Sequence, residues 1–142
     1  MANVIPYAFR GELFTGTHNF ASGGDSFKLA LYTANPYTTA STVYSATTEV
    51  SSAGGSNYTT TGNTLTGNAV AYATAVASCD FADTEWTSAT FTAAFGAIYN
   101  DDQSDKLCVV LDFSGDKTAT NGTFKITFPS PSTPADAIIS MA

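Results

Sequence analysis

In the stretch CDFADTEWTSATFTA, from Cys79 to Ala93, the acids Asp80, Asp83 and Glu85 stand beside Trp86, the only tryptophan of the chain. Carboxylates spaced this closely can share acid/base work, as in glycoside hydrolysis, or hold a calcium ion. The residues that follow alternate threonine with apolar side chains, the pattern of a strand with one wet face. On that pattern the three acids are the solvated rim of a strand, and Trp86 and Phe91 pack inward. A second acidic set, Asp101, Gln103 and Asp105 with Asp112 at the twelfth position, has the outline of a calcium loop. Lys106 occupies the sharp-turn glycine position of such a loop and the flanks read as strands, so a polar hairpin loop is the expectation.

His18, the single histidine, lies in Thr-Gly-Thr-His-Asn without a serine elbow or a cysteine partner. Nothing therefore supports a Ser-His-Asp or Cys-His arrangement. Zinc is disfavoured on the same inventory, because Cys79, Cys108 and His18 lie far apart without C-x-x-C or H-x-x-H spacing. There is no GxxxxGK[ST] loop, and the glycines at 54–55 and 62–67 precede no helix, which leaves phosphate cradling without a motif. No catalytic, cofactor-binding or metal-ligating residue is expected. Tyr32, Tyr37, Tyr44, Tyr58 and Tyr72 fit either a sugar- or partner-binding patch or cross-strand packing, the commoner use of such residues.

The chain that positions these groups has 142 residues, enough for one domain that buries a sizeable core without metals or disulfides. Charged residues make up 12% and aromatics 13%, with Ser, Thr, Gly and Ala filling much of the rest, a composition for strands and turns. The formal net charge of -7 repels phosphate backbones, and the five basic residues are scattered, so neither nucleic acid nor an anionic membrane is an expected partner. The N-terminus lacks a basic region followed by an apolar core, which points to a protein that stays in the cytoplasm where it is made. In that compartment Cys79 and Cys108 are expected reduced.

Val4, Ile5, Ala8, Phe9 and Leu13 recur at roughly helical spacing, so residues 1–24 read as an N-terminal arm with a short helix that opens after Pro6. Residues 25–142 read as the β domain. Its first strand is Ser26 to Thr33, with Phe27, Leu29 and Leu31 alternating against Lys28 and Tyr32. Weak strands and long loops fill Tyr37 to Gly67, where isolated Val43, Tyr44, Val50, Tyr58 and Leu65 argue for packing. Further strands are expected over Asn68 to Val76, Ser88 to Thr92, Phe95 to Tyr99, Leu107 to Phe113, Thr123 to Phe128 and Ala137 to Met141. Asp101 to Asp105 reads as a hairpin loop and Asn121-Gly122 as a turn, while Pro129, Pro131 and Pro134 interrupt any strand before Ala137. The fold class is all-β, a single-domain β-sandwich or jelly-roll-like barrel with an N-terminal arm.

Taken in order, FRGELFTGTHNF, DSFKLALYTANP, TVYSATTEVSSAGGSNYTTTGNTLTG, DFADTEWTSATFTAAFGAIYND, VVLDFSGDKTATNGTFKITFP and the ending AIISMA resemble a family of short virion proteins of tailed bacteriophages. The likeness runs over nearly the whole chain and rests on the order and spacing of its pieces. One departure is Ala93-Ala94-Phe95-Gly96, where the family pattern would place an Arg before the next strand.

The resemblance implies a structural protein without catalysis or cofactor. Its expected role is a capsid cement or decoration protein on the outer surface of the head, bound to the major capsid protein and itself oligomeric, with a homotrimer the first expectation. A neck or tail component is the alternative within that family. A carbohydrate-binding adsorption module is an alternative of a different class. Val4, Ile5, Phe9, Leu13 and Phe14 are the candidate partner-binding residues. The competing reading is that Phe9, Leu13 and Phe14 simply cover one end of the chain's own sandwich.

Overall fold

A computed structural model describes residues 3–73, 75–129 and 137–141. One helix, α1 (Tyr7–Phe14), precedes the strands β1 (Phe27–Tyr32), β2 (Asn63–Thr64), β3 (Ala69–Ala73), β4 (Val76–Asp80), β5 (Thr84–Asn100), β6 (Lys106–Ile126) and β7 (Ile139–Met141). They form two antiparallel sheets, one in the order β2-β1-β5-β6 and one in the order β3-β4-β7. The fold is an all-β, sandwich-like single domain.

Alternation along β1 sorts its side chains into two cores. Phe27, Leu29 and Leu31 face the main core, which they share with Phe9 and Phe20 from the N-terminal segment, Cys79 and Ile139 from the smaller sheet, and Trp86, Phe91 and Phe124 from β5 and β6. Ala30 and Tyr32 face the other way, into a second cluster with Tyr37, Ala97, Tyr99, Leu107 and Val110. The sequence reading gave Tyr32 to the polar face of its strand. In the fold it is fully buried, because the irregular segment after β1 folds back over that face of the larger sheet.

Tyrosine hydroxyls pin this segment in place of regular pairing. Glu49 Oε1 accepts the Tyr58 hydroxyl and the Thr61 N–H, each at 2.7 Å, and Oε2 accepts the Tyr44 hydroxyl at 2.5 Å. The Tyr58 hydroxyl also accepts the Leu31 N–H of β1 at 3.0 Å. Tyr32 and Tyr37 share a 2.6 Å hydrogen bond, and Tyr32 donates to the Ser45 carbonyl at 2.9 Å. Burial lifts the phenols of Tyr58 and Tyr44 above their ordinary range, and the Glu49 carboxylate beside them adds to the effect.

The four separate strands expected between Ser88 and Phe128 are two long ones, β5 and β6, joined by the polar loop at Asp101 to Asp105. Trp86 and Phe91 have opposite parity, so strict alternation cannot turn both inward. The ladder absorbs one extra residue at Ser88, whose φ is +49°, and the pairing steps from Trp86↔Phe124 to Ala89↔Gly122. Asn121-Gly122, read as a turn, is the matching irregularity inside β6, with Asn121 at φ +47°. Likewise the strand expected over Asn68 to Val76 is a hairpin that turns at Ala75, φ +64°, to run from β3 into β4. Pro131 and Pro134 lie outside the described residues.

Candidate functional site

Helix α1 has Pro6 at its N-cap and is held from both ends. Before it, Val4 makes a two-bond bridge to Val110 of β6, N–H to O at 2.9 and 2.8 Å, and the Tyr7 N–H donates to the Thr39 carbonyl at 3.1 Å. Within it, Glu12 pairs with Lys106 at 2.8 Å and with His18 at 2.8 Å. The described part of the N-terminal segment, residues 3–24, is therefore packed into the domain, since Phe9 and Phe20 are core residues and Phe9 is fully buried.

Around His18 the donors and acceptors resolve one another. Asn100 Oδ1 accepts the Asp102 N–H at 3.2 Å, so its Nδ2 is the donor that reaches Asp25 Oδ2 at 2.8 Å and His18 Nδ1 at 2.9 Å. His18 Nδ1 is thus an acceptor, and Nε2–H donates to Glu12. The ring is fully buried against Phe9 and Phe20. Burial raises the carboxyls of Glu12 and Asp25, yet the hydrogen bonds of Lys106 and His18 to the first, and of Asn100 and the Asn19 N–H to the second, outweigh it and hold both below their ordinary values. The cluster ties helix, loop and both long strands together.

The carboxylates of the acidic stretch point different ways. Asp83 pairs with Lys125 at 3.0 Å and accepts the Phe128 N–H at 3.0 Å, which holds its carboxyl low. Asp80 is half-buried and burial pushes its carboxyl up, with Asp83 adding to the effect. Glu85 is exposed opposite Lys125. In the other acidic set, Asp101 pairs with Lys28 at 3.0 Å and Asp102 accepts the Ser26 N–H at 2.7 Å. Among the described residues no group of three His, Cys, Asp or Glu side chains is placed to hold a metal ion. Cys79 and Cys108 are buried and not joined by a disulfide; burial, with Asp80 nearby, pushes the Cys79 thiol up to about 12. Of the five tyrosines weighed as a binding patch, Tyr72 alone is exposed, at 80%.

The candidate partner-binding residues divide. Phe9 lies inside the core, Val4 is half-buried in its bridge, and Leu13 packs at the core margin. Ile5 is 37% exposed and Phe14 is 93% exposed. Phe14 stands beside a cleft of about 110 Å³ between α1 and the smaller sheet, walled by Phe9, Leu13, Val70, Cys79, Ile139 and Met141. Two further clefts adjoin it. One continues along Tyr7, Arg10 and Phe14 and the other along Tyr72 and Val76, and Met141 borders all three. Val70 and Met141 were not among the expected contact residues, and Tyr72 was weighed only as one of five tyrosines of a binding patch. The signal was present in AVAYA, where Val70 and Tyr72 share one face of a strand by parity. A broader groove along β6 is rimmed by Phe124 and Phe128, but these rings are only 6% and 7% exposed.

What α1 and the smaller sheet build together is thus an exposed apolar face, while the His18 cluster lies inside the fold. Compared with protein-family models, curated proteins and solved structures, the chain matches none.

Proposed function

We propose that this chain is a structural virion protein of a tailed bacteriophage, a capsid cement or decoration protein that binds the outer surface of the head and stabilises contacts between major capsid subunits. The ordered series of motifs from FRGELFTG to GTFKITFP supports the phage reading. The observation that carries the contact role is the exposed apolar face, since Phe14, Tyr72, Met141, Tyr7 and Val70 are 93%, 80%, 57%, 56% and 47% exposed. A lone exposed apolar side chain needs no explanation, but a contiguous set marks an interaction site. The chemistry of the chain fits this reading, because Glu12, Asp25, Asp83, Asp101, Asp102 and His18 are each engaged with a partner in the fold. Ile5 and Phe14 are then the candidate contact residues that remain available to a neighbouring subunit.

The test is the copy number of this protein relative to the major capsid protein in purified particles. A near-stoichiometric ratio is the expected result. A handful of copies per particle would move the protein to the neck or tail, and its absence from particles would overturn the virion role.

A further inference from the structure

From the knob and the cleft that lie side by side on this face, we infer that its occupant is a second copy of this chain, bound about a two-fold axis with each Phe14 ring seated in the other copy's cleft. The inference rests on the contact reading above and narrows it: the neighbouring subunit on this face is a second copy of this chain, in a two-fold pair in place of the homotrimer first expected. Three observations lead to a second copy.

The first is fit. Phe14 follows Leu13, which walls the cleft, so knob and hole are immediate neighbours. A two-fold axis between them makes both insertions at once, as a self-complementary interface requires. The cleft measures about 110 Å³ and is lined almost wholly by apolar groups. That is the order of the ~150 Å³ apolar cavity that accepts a benzene ring.

The second is area. Taking ~200 Å² for a large aromatic side chain, the exposed fractions of Phe14, Tyr72 and Tyr7 offer roughly 450 Å². Met141 and Val70 raise the patch to about 600 Å², at the upper limit of what a monomer ordinarily leaves in water. Two such patches together bury about 1,200 Å², which reaches the range of specific interfaces.

The third is charge. The chain carries -7, so two copies can approach closely only through a region free of carboxylates. Of the described residues lining the three clefts, Arg10 alone is charged. A strongly basic or acidic partner would find no complement here.

The experiment is sedimentation equilibrium of the purified chain from low micromolar to a few hundred micromolar, alongside Phe14→Ser and Val70→Glu. Both positions are exposed, so each variant should keep the unfolding midpoint that the wild type shows at low micromolar concentration, where it is monomeric, read by circular dichroism. The wild type is expected to move from one to twice its 14.7 kDa mass. Phe14→Ser should raise the dissociation constant roughly thirtyfold or more, the loss typical of an interface hot spot. Val70→Glu, which sets two carboxylates at the facing clefts, should also dissociate the pair. A mass that stays monomeric over the whole range overturns the inference, and so does an oligomer that persists unchanged in Phe14→Ser. Neither result alters the particle copy number, so this inference and the virion reading fail separately.

Discussion

Glu49 offers the sharpest test of what holds the irregular half of the chain. It stands in a segment with almost no strand pairing, yet one carboxylate receives the Tyr58 and Tyr44 hydroxyls and the Thr61 N–H. Glu49→Ala removes all three acceptor contacts. The Tyr58 hydroxyl is the costly one, since Tyr58 is 3% exposed and a stranded buried donor costs about 1–3 kcal/mol. Tyr44 and Thr61 are half-buried and regain water in part, so each adds about 0.5–1 kcal/mol. The expected total is about 3 kcal/mol. Glu49→Gln keeps an oxygen toward Tyr58 and Thr61, and its amide can donate to Tyr44, whose hydroxyl rotates to accept. It loses only the charge assistance, about 1 kcal/mol.

Urea unfolding followed by the emission of Trp86, which stacks on Tyr58 with ring centroids 5.9 Å apart, measures both variants. With a slope of ~2 kcal/mol per molar, the midpoint should fall by roughly 1.5 M for Ala and roughly 0.5 M for Gln. Tyr58→Phe combined with Glu49→Ala should cost clearly less than the two single changes added together, because they remove the same bond. A Glu49→Ala protein within 0.5 M of wild type, or a Gln variant as weak as Ala, would refute the carboxylate as the pin of this segment.

Trp86→Ala should cost ~3–5 kcal/mol, since the ring is 4% exposed and packed edge-on against Phe91 and Phe124. Trp86→Phe should cost under ~1.5 kcal/mol, because the indole Nε1 has no partner in the fold and its loss offsets some of the lost volume; equal costs for the two variants, read by far-ultraviolet circular dichroism, would show a satisfied indole. Gly62 has φ +78° and a Cβ there would overlap the Leu29 carbonyl, whereas Gly16 has φ +69° with open space around it. Gly62→Ala should therefore destabilise well beyond the ~1–2 kcal/mol of left-handed strain expected at Gly16→Ala, and matching urea midpoints for the two would contradict the close approach. Glu12 and Asp25 titrate below their ordinary values of 4.5 and 3.8 in the folded state, so their stabilisation is complete above those values and lost as the pH falls through the depressed ones. Asp80, raised by burial, works in the opposite sense. Urea midpoints should hold from pH 7 to 5 and fall below pH 4, with a smaller fall in Glu12→Gln; a flat profile down to pH 3 would remove the helix cluster from the stability account.

Much of this fold was legible wherever alternation ran unbroken. Phe27, Leu29 and Leu31 marked β1, and the polar run DDQSD marked the loop between β5 and β6. Legibility failed where the ladder absorbs an extra residue. Ser88 and Asn121 sit mid-strand at positive φ, and local chemistry alone makes Asn121-Gly122 a turn. Only the pairing of β6 with β5 before and after this point holds it in register as a bulge. Burial of Tyr32 was hidden for a related reason, since a covered second face comes from a distant segment without strand periodicity of its own. The contact face was half legible. At about 100° per residue, Leu13 lies only about 40° around the helix from Phe9 while Phe14 lies about 140° away. Helical spacing therefore already separates the buried Phe9 from the exposed Phe14, and grouping the two as one contact stripe treats the helix as though it had a single face.

The distribution of charge bears on how a contact face of this kind works. Lys106–Glu12, Lys125–Asp83 and Lys28–Asp101 are ion pairs inside the fold, which engages three of the five basic residues of the chain. Among the described residues, the clefts around Phe14 have Arg10 as their sole charge. An interface made there gains nothing from long-range steering, and the net charge of -7 opposes the approach of like copies. Salt therefore acts in an unusual direction. Raising the ionic strength shortens the screening length from ~30 Å at 0.01 M to ~8 Å at 0.15 M and weakens that repulsion, while the apolar contact is left intact. Self-association measured by sedimentation should tighten as sodium chloride is raised from about 0.01 to 0.15 M. Weakening over the same interval would mean that ion pairs cross the interface, which a pairing of Phe14 with the apolar cleft does not allow.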